Sequence, residues 1–123
     1  IWRAGGVAVP LSLSAAEPEL EYAITDSDAQ RVITNTELST KLAPLCQRLG
    51  IPLTVVDEIS GGDPQPLPMI QPDRRAMILY TSGTTNKPKG VVSTHANVEA
   101  QVEAHTLMMS TMPWLVQMIH PMH

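Results

Sequence analysis

Between Thr81 and Gly90 the chain reads Thr81-Ser82-Gly83-Thr84-Thr85-Asn86-Lys87-Pro88-Lys89-Gly90, ten positions that hold four hydroxyl side chains, two glycines and two lysines. That is the composition of a phosphate-binding loop. Glycine lets backbone N–H groups converge on an anion, each serine or threonine adds a donor at short reach, and lysine sets a point charge against phosphate oxygens. Hydrogen bonds to a charged group contribute about 1.5–3 kcal/mol each, so three or four aligned donors hold a triphosphate tail. Pro88 stiffens the far side of the loop and thereby fixes where Lys89 sits. The spacing excludes two other phosphate loops. A G-x-x-x-x-G-K-[ST] loop starting at Gly83 requires glycine at position 88, which is proline. A G-x-G-x-x-G fingerprint fails because Gly83 has no partner glycines at that spacing and no helical pattern opens directly after it. On residue types alone, a Ser/Thr/Gly-rich hairpin with Lys89 as a solvated surface lysine stays open as a second reading.

The loop needs a scaffold, and the flanking pattern supplies one. Ala76-Met77-Ile78-Leu79-Tyr80 is an apolar run suited to a buried strand, and Val91-Val92-Ser93-Thr94 resumes a strand pattern after the loop. Upstream, Ala4 to Pro10 reads as a short buried strand that ends at the proline. A short amphipathic helix follows over Ala15–Ile24, with Pro18 in its first turn, acids near its start and Leu20 and Ile24 four apart. Asp26-Ser27-Asp28 ends it, and Arg31-Val32-Ile33-Thr34 supplies a second strand. The next helix runs from about Glu37 to Leu49, with Leu38, Leu42, Leu45 and Leu49 on one face, Gly50 as its stop and Pro44 expected to bend or break it. Leu53-Thr54-Val55-Val56 is a third strand. Strands alternating with helices predict an α/β fold with parallel pairing, because parallel neighbours need a crossover that is usually helical. Residues 60–72 contain Gly61, Gly62, Pro64, Pro66, Pro68 and Pro72 and read as a connector, lacking the basic flanks that orient a proline-rich ligand. After the second loop-flanking strand, Asn97–Met109 is predicted helical, with Thr94 as N-cap and Val98, Val102 and His105 or Thr106 on one face.

Composition narrows the partners. Eight basic against twelve acidic side chains leave a formal net charge of −4, so nothing electrostatic favours nucleic acid or polybasic membrane attachment. No apolar run approaches the ~20 residues of a bilayer span. The sequence therefore reads as soluble and intracellular, with cytoplasm and mitochondrion not distinguished. Cys46, the single cysteine, reads as a small core hydrophobe. His120 and His123 are three apart, but Pro121 lies between them and no acid or cysteine is close, so no metal site is expected. A length of 123 residues suits one domain. The opening Ile1-Trp2-Arg3, without a starting methionine, suggests a piece of a longer chain.

Tyr80-Thr81-Ser82-Gly83-Thr84-Thr85-Asn86-Lys87-Pro88-Lys89-Gly90 resembles the signature loop of the adenylate-forming superfamily, which includes acyl-CoA synthetases, luciferases and peptide-synthetase adenylation domains. Gly6 to Pro10, Pro18 to Tyr22 and Asp26-Ser27 resemble the same family upstream, so the likeness runs from about residue 3 to about residue 104. Ala76 to Tyr80 and Gly90 to Asn97 are most similar to malonyl-CoA synthetase-type ligases. The resemblance implies a layered α/β N-terminal domain and a two-step reaction. A carboxylate attacks the α-phosphate of MgATP and releases pyrophosphate, and a CoA thiol then displaces AMP from the acyl adenylate. Thr81, Ser82, Gly83, Thr84 and Thr85 would cradle phosphate oxygens, and Lys89 would offset charge on the leaving pyrophosphate. Asn86 stands where the family usually has glycine, and asparagine tolerates left-handed backbone angles better than most residues. The family's Tyr-Gly-x-Thr-Glu and Thr-Gly-Asp segments and its lid lysine would lie downstream. Residues 1–123 are thus expected to be a partial AMP-binding domain, inactive alone, with about 106–123 as a divergent tail. The alternative is a non-catalytic nucleotide-phosphate-binding or inert truncated module.

Overall fold

The computed structural model describes residues 1–59, 61, 63, 65–81 and 87–111. Its elements run α1 (Glu17–Asp26), β1 (Val32–Thr34), α2 (Thr36–Leu49), β2 (Leu53–Val55), β3 (Arg75–Thr81), β4 (Lys89–Thr94) and α3 (His95–Thr111), with 3₁₀ turns at Trp2–Ala4 and Val56–Glu58. β1 and β2 pair in parallel, and β3 and β4 pair antiparallel.

Local chemistry explains the first half. Pro18 sits in the first turn of α1, where its missing N–H costs nothing, and the Glu19 carboxylate reaches back to accept the Ala16 N–H at 3.1 Å. α1 buries Leu20, Ala23 and Ile24. It ends at Ser27, and Asp28 follows in the left-handed region with φ 52°, which a short polar side chain tolerates. Asn35 caps α2 by accepting the Leu38 N–H at 3.1 Å. Asp57, just past β2, accepts the Thr36 N–H at 3.1 Å and the Thr36 hydroxyl at 2.7 Å, which ties the start of α2 to the turn after its partner strand. These two bonds hold the Asp57 carboxyl below its ordinary range. Gly50, with φ 67°, closes α2 in the left-handed conformation that its sequence position suggests.

The core lies between α1, α2 and β1: Leu20, Ile24, Val32, Leu45 and Cys46 are buried together, with Leu42, Leu49 and Leu53 packed around them. β1 shows the period-2 signature, Val32 and Thr34 inward and Ile33 outward. Burial pushes the Cys46 thiol up, which agrees with a core role and opposes a nucleophilic one.

Three expectations are revised. The apolar run from Ala4 to Pro10 does not form a strand. Trp2–Ala4 is a 3₁₀ turn closed by Gly5 at φ 76°, and only Ala8 bridges to Met77, in parallel. Ala8 donates to the Ala76 carbonyl at 2.8 Å and accepts from Ile78 at 2.9 Å. The same carbonyl accepts the Trp2 indole N–H at 2.8 Å, so the aromatic ring pins the segment that the glycines let turn. Parallel pairing holds for β1 and β2, which α2 connects. β3 and β4 are antiparallel because the seven residues from 82 to 88 cannot form a crossover. Pro44 does not break α2, which runs unbroken through it; Pro44 and Thr40 are both exposed, so the carbonyl that proline cannot bond has water as its alternative.

The described residues of 60–72 take neither helix nor strand. α3 starts at His95, two residues before the sequence expectation. Thr94 acts as the expected cap: its hydroxyl accepts the Asn97 N–H at 3.2 Å while Asn97 Oδ1 accepts the Thr94 N–H at 2.9 Å. The carbonyls of Arg74 and Pro72 accept the His95 and Ala96 N–H groups, docking the helix start onto the base of β3. Of the face expected to pack, Val98 is half-buried but Val102 is 60% exposed. His120, His123 and the apolar run Trp114–Ile119 lie outside the described residues.

Candidate functional site

The β3–β4 hairpin brings the two ends of the 81–90 loop together. Its register pairs Ile78 with Val92, Leu79 with Val91, Tyr80 with Gly90 and Thr81 with Lys89, so Thr81 and Lys89 face each other at the open end. Both are exposed. Ser82, Gly83, Thr84, Thr85 and Asn86 lie outside the described residues. At the stem's other end the register shifts between Arg75 and Met77, around the fully buried Ala76.

Tyr80 is the residue on which this mouth stands. Opposite it, a Cβ on Gly90 would lie 3.0 Å from Ile78 Cγ2, so a side chain there would crowd Ile78, while it would only touch the Tyr80 ring at 3.4 Å. The Tyr80 hydroxyl donates to Asp26 Oδ2 at 2.6 Å, joining β3 to the last residue of α1. Tyr22, one turn earlier on α1, meets Tyr80 edge to face, with centroids 6.2 Å apart and ring planes at 82°. Lys87, on the far side of the loop, places Nζ 5.7 Å from the Tyr22 centroid. A cleft of about 230 Å³ beside this cluster is lined by Pro10, Leu11, Glu19, Tyr80, Thr81 and Pro88, among others. A larger cleft of about 660 Å³ runs over β1 and α2, and none of the described residues that flank the loop lines it. Thr81, Lys87 and Lys89 therefore present a hydroxyl and two cations at one end of a hairpin anchored on α1, an arrangement suited to an anion.

Loss of water contact, the bond to Asp26 and the negative charge of Asp26 push the Tyr80 phenol up to about 12. Tyr22 is raised too, by desolvation first and Asp26 second. A raised phenol holds its proton more tightly in the folded chain. Its stabilising contribution is complete below the ordinary value near 10 and is lost as pH rises through the folded value. Tyr22 and Tyr80 are the chain's two tyrosines. Ultraviolet titration of the native protein is expected to show less phenolate at pH ~10 than a denatured chain, which is half ionised there, with Tyr80 ionising last. Tyr80→Phe should remove the step near 12. Ordinary titration of both rings in the folded state would contradict the Asp26 bond.

The whole chain, residues 1–123, matches the family described as AMP-binding enzyme. The chain belongs to that family. Among its curated relatives, the mitochondrial malonate–CoA ligase ACSF3 of Mus musculus is 45% identical over 108 residues, covering 82% of this chain and 18% of the relative. Among solved structures, McyG A-PCP complexed with phenylalanyl-adenylate superposes with a TM-score of 0.70 at 26% identity, over 83% of this chain and 18% of McyG. ATP-bound MatB from Rhodopseudomonas palustris superposes with a TM-score of 0.67 at 28% identity, over 80% of this chain and 22% of MatB. The α/β architecture is thus that of adenylate-forming enzymes, and malonate–CoA ligases are among the relatives. The chain spans 18–20% of the length of the first curated relatives it matches. Among the described residues, no helix is long and apolar enough to cross a membrane.

Of the residues singled out from the sequence, the structure sets Thr81 and Lys89 face to face. Asp26, Tyr22 and Lys87 were missed as members of this cluster. The sequence marks Asp26 only as a helix end, because its partner lies 54 residues away, beyond the reach of any periodicity.

Proposed function

We propose that the chain is the phosphate-binding part of an ATP-dependent carboxylic acid–CoA ligase. In this reading Thr81, Ser82, Gly83, Thr84 and Thr85 cradle the β- and γ-phosphates of ATP, and Lys89 offsets the charge that builds on pyrophosphate as it leaves. The observation that carries it is the pairing of Thr81 with Lys89 at the mouth of a hairpin whose connecting residues are hydroxyl- and glycine-rich. Mg²⁺ arrives on the nucleotide, since magnesium keeps much of its water shell and is commonly held through substrate phosphates. CoA is the substrate of the second step, in which its thiol displaces AMP from the acyl adenylate. Malonate is the acid favoured by the likeness to malonate–CoA ligases.

Isothermal titration of MgATP into the purified chain tests the phosphate-binding half of the proposal. Saturable heat, with magnesium pyrophosphate competing, is the expected result. Absence of heat from a chain that circular dichroism shows to be folded overturns it. For the acid, malonate-dependent pyrophosphate release, compared with acetate and longer acids, is the readout in a ligase of the relatives' length.

A further inference from the structure

We propose that Asp26 is a positioning residue for the phosphate loop, holding the strand that enters it through the Tyr80 hydroxyl. The inference rests on the reading of residues 81–89 as a phosphate loop. Two observations carry it. Tyr80 immediately precedes Thr81, and its hydroxyl is bound to Asp26 at 2.6 Å, a short bond to a charged acceptor. Tyr22 is four residues before Asp26 on α1 and therefore shares its face; it meets the Tyr80 ring edge to face and lies under the Lys87 ammonium.

One turn of α1 thus touches the strand that enters the loop and the lysine that leaves it. α1 is itself held by buried Leu20, Ala23 and Ile24, so this is a contact to a rigid element. Anion sites made of several donors lose affinity when those donors are displaced by more than about 0.5 Å, and a hairpin end secured only by its own ladder can twist that far. Asp26 does not touch phosphate in this scheme. It acts on Thr81 through Tyr80.

The test is the dissociation constant of magnesium pyrophosphate, measured on the intact chain at a temperature well below each variant's melting point. Tyr80→Phe and Asp26→Ala are each expected to weaken binding about tenfold, and the double variant no further than Asp26→Ala, because both remove one bond. Asp26→Asn, whose amide oxygen still accepts from the phenol, should restore affinity to within about threefold of the parent. A merely structural role would lower the melting points of Tyr80→Phe and Asp26→Ala and leave the affinity of the folded fraction alone, and that result overturns the proposal. Binding that Lys89→Ala weakens but Tyr80→Phe and Asp26→Ala do not also overturns it, with the phosphate-loop reading intact. A folded parent chain that binds no pyrophosphate removes that reading and the proposal together.

Discussion

Lys89→Ala is expected to weaken MgATP binding between about 10- and 100-fold, the upper figure being what loss of one donor to a developing oxyanion costs in a closed site. The lower figure applies to an open one. Lys89 is exposed at the hairpin mouth, where water screens a point charge, so the chain as it stands should fall toward tenfold. Two comparisons separate placement from charge. Lys87→Ala removes a charge two residues away, but the Lys87 ammonium leans over Tyr22 rather than pairing across from Thr81, so its loss is expected to cost only about threefold. Lys89→Arg keeps the charge on a planar fork and should recover part of the loss, since a bulkier donor fits a lysine position imperfectly. Titration at two salt concentrations adds a signature: binding by Lys89→Ala should depend less on salt than binding by the parent. Parent-like affinity in Lys89→Ala would show that this lysine plays no part in holding phosphate.

The contrast between Lys89 and Asp26 shows what kind of information a sequence carries. The loop was legible because its chemistry is local: hydroxyls, glycines and lysines within ten positions describe an anion site before any fold is known. Helix ends were legible for the same reason, and Thr94 and Gly50 act as cap and stop where their types suggested. Asn35 shows the limit of the same rule: it caps α2, while the apolar pattern alone places the helix start at about Glu37 and points to no cap. The N-terminal segment was misread because apolar residues between glycines and a proline suit either a strand or a pinned turn. What decides between them is the bond from the Trp2 indole to Ala76, 74 positions away. The Asp26–Tyr80 bond is of this second kind. Distant partners are chosen by tertiary packing, and no spacing rule encodes them.

Leu45→Ala is expected to remove about 3 kcal/mol of stability, within the 2–5 kcal/mol found when a buried leucine is truncated and its neighbours cannot collapse into the space. Leu45 is 1% exposed and sits against Leu20, Ile24, Val32 and Cys46, drawn from both helices and β1, so no single side chain can swing in to fill the cavity. A domain of this size has only about 5–15 kcal/mol in total, and the melting temperature by circular dichroism should fall by about 10 °C. Val102→Ala, at a position 60% exposed, should stay within about 0.5 kcal/mol of the parent. Leu45→Met, which nearly conserves volume, should cost under about 1.5 kcal/mol. The ordering matters for the site. Leu20 and Ile24 share α1 with Tyr22 and Asp26, so the cluster around Leu45 is the floor on which the loop's anchor rests. In the folded fraction of Leu45→Ala, affinity for MgATP should nevertheless stay near the parent's, because the Asp26–Tyr80 bond and the Thr81–Lys89 pair are untouched. A fall of under about 3 °C would mean that these five residues do not form the core that holds α1 in place.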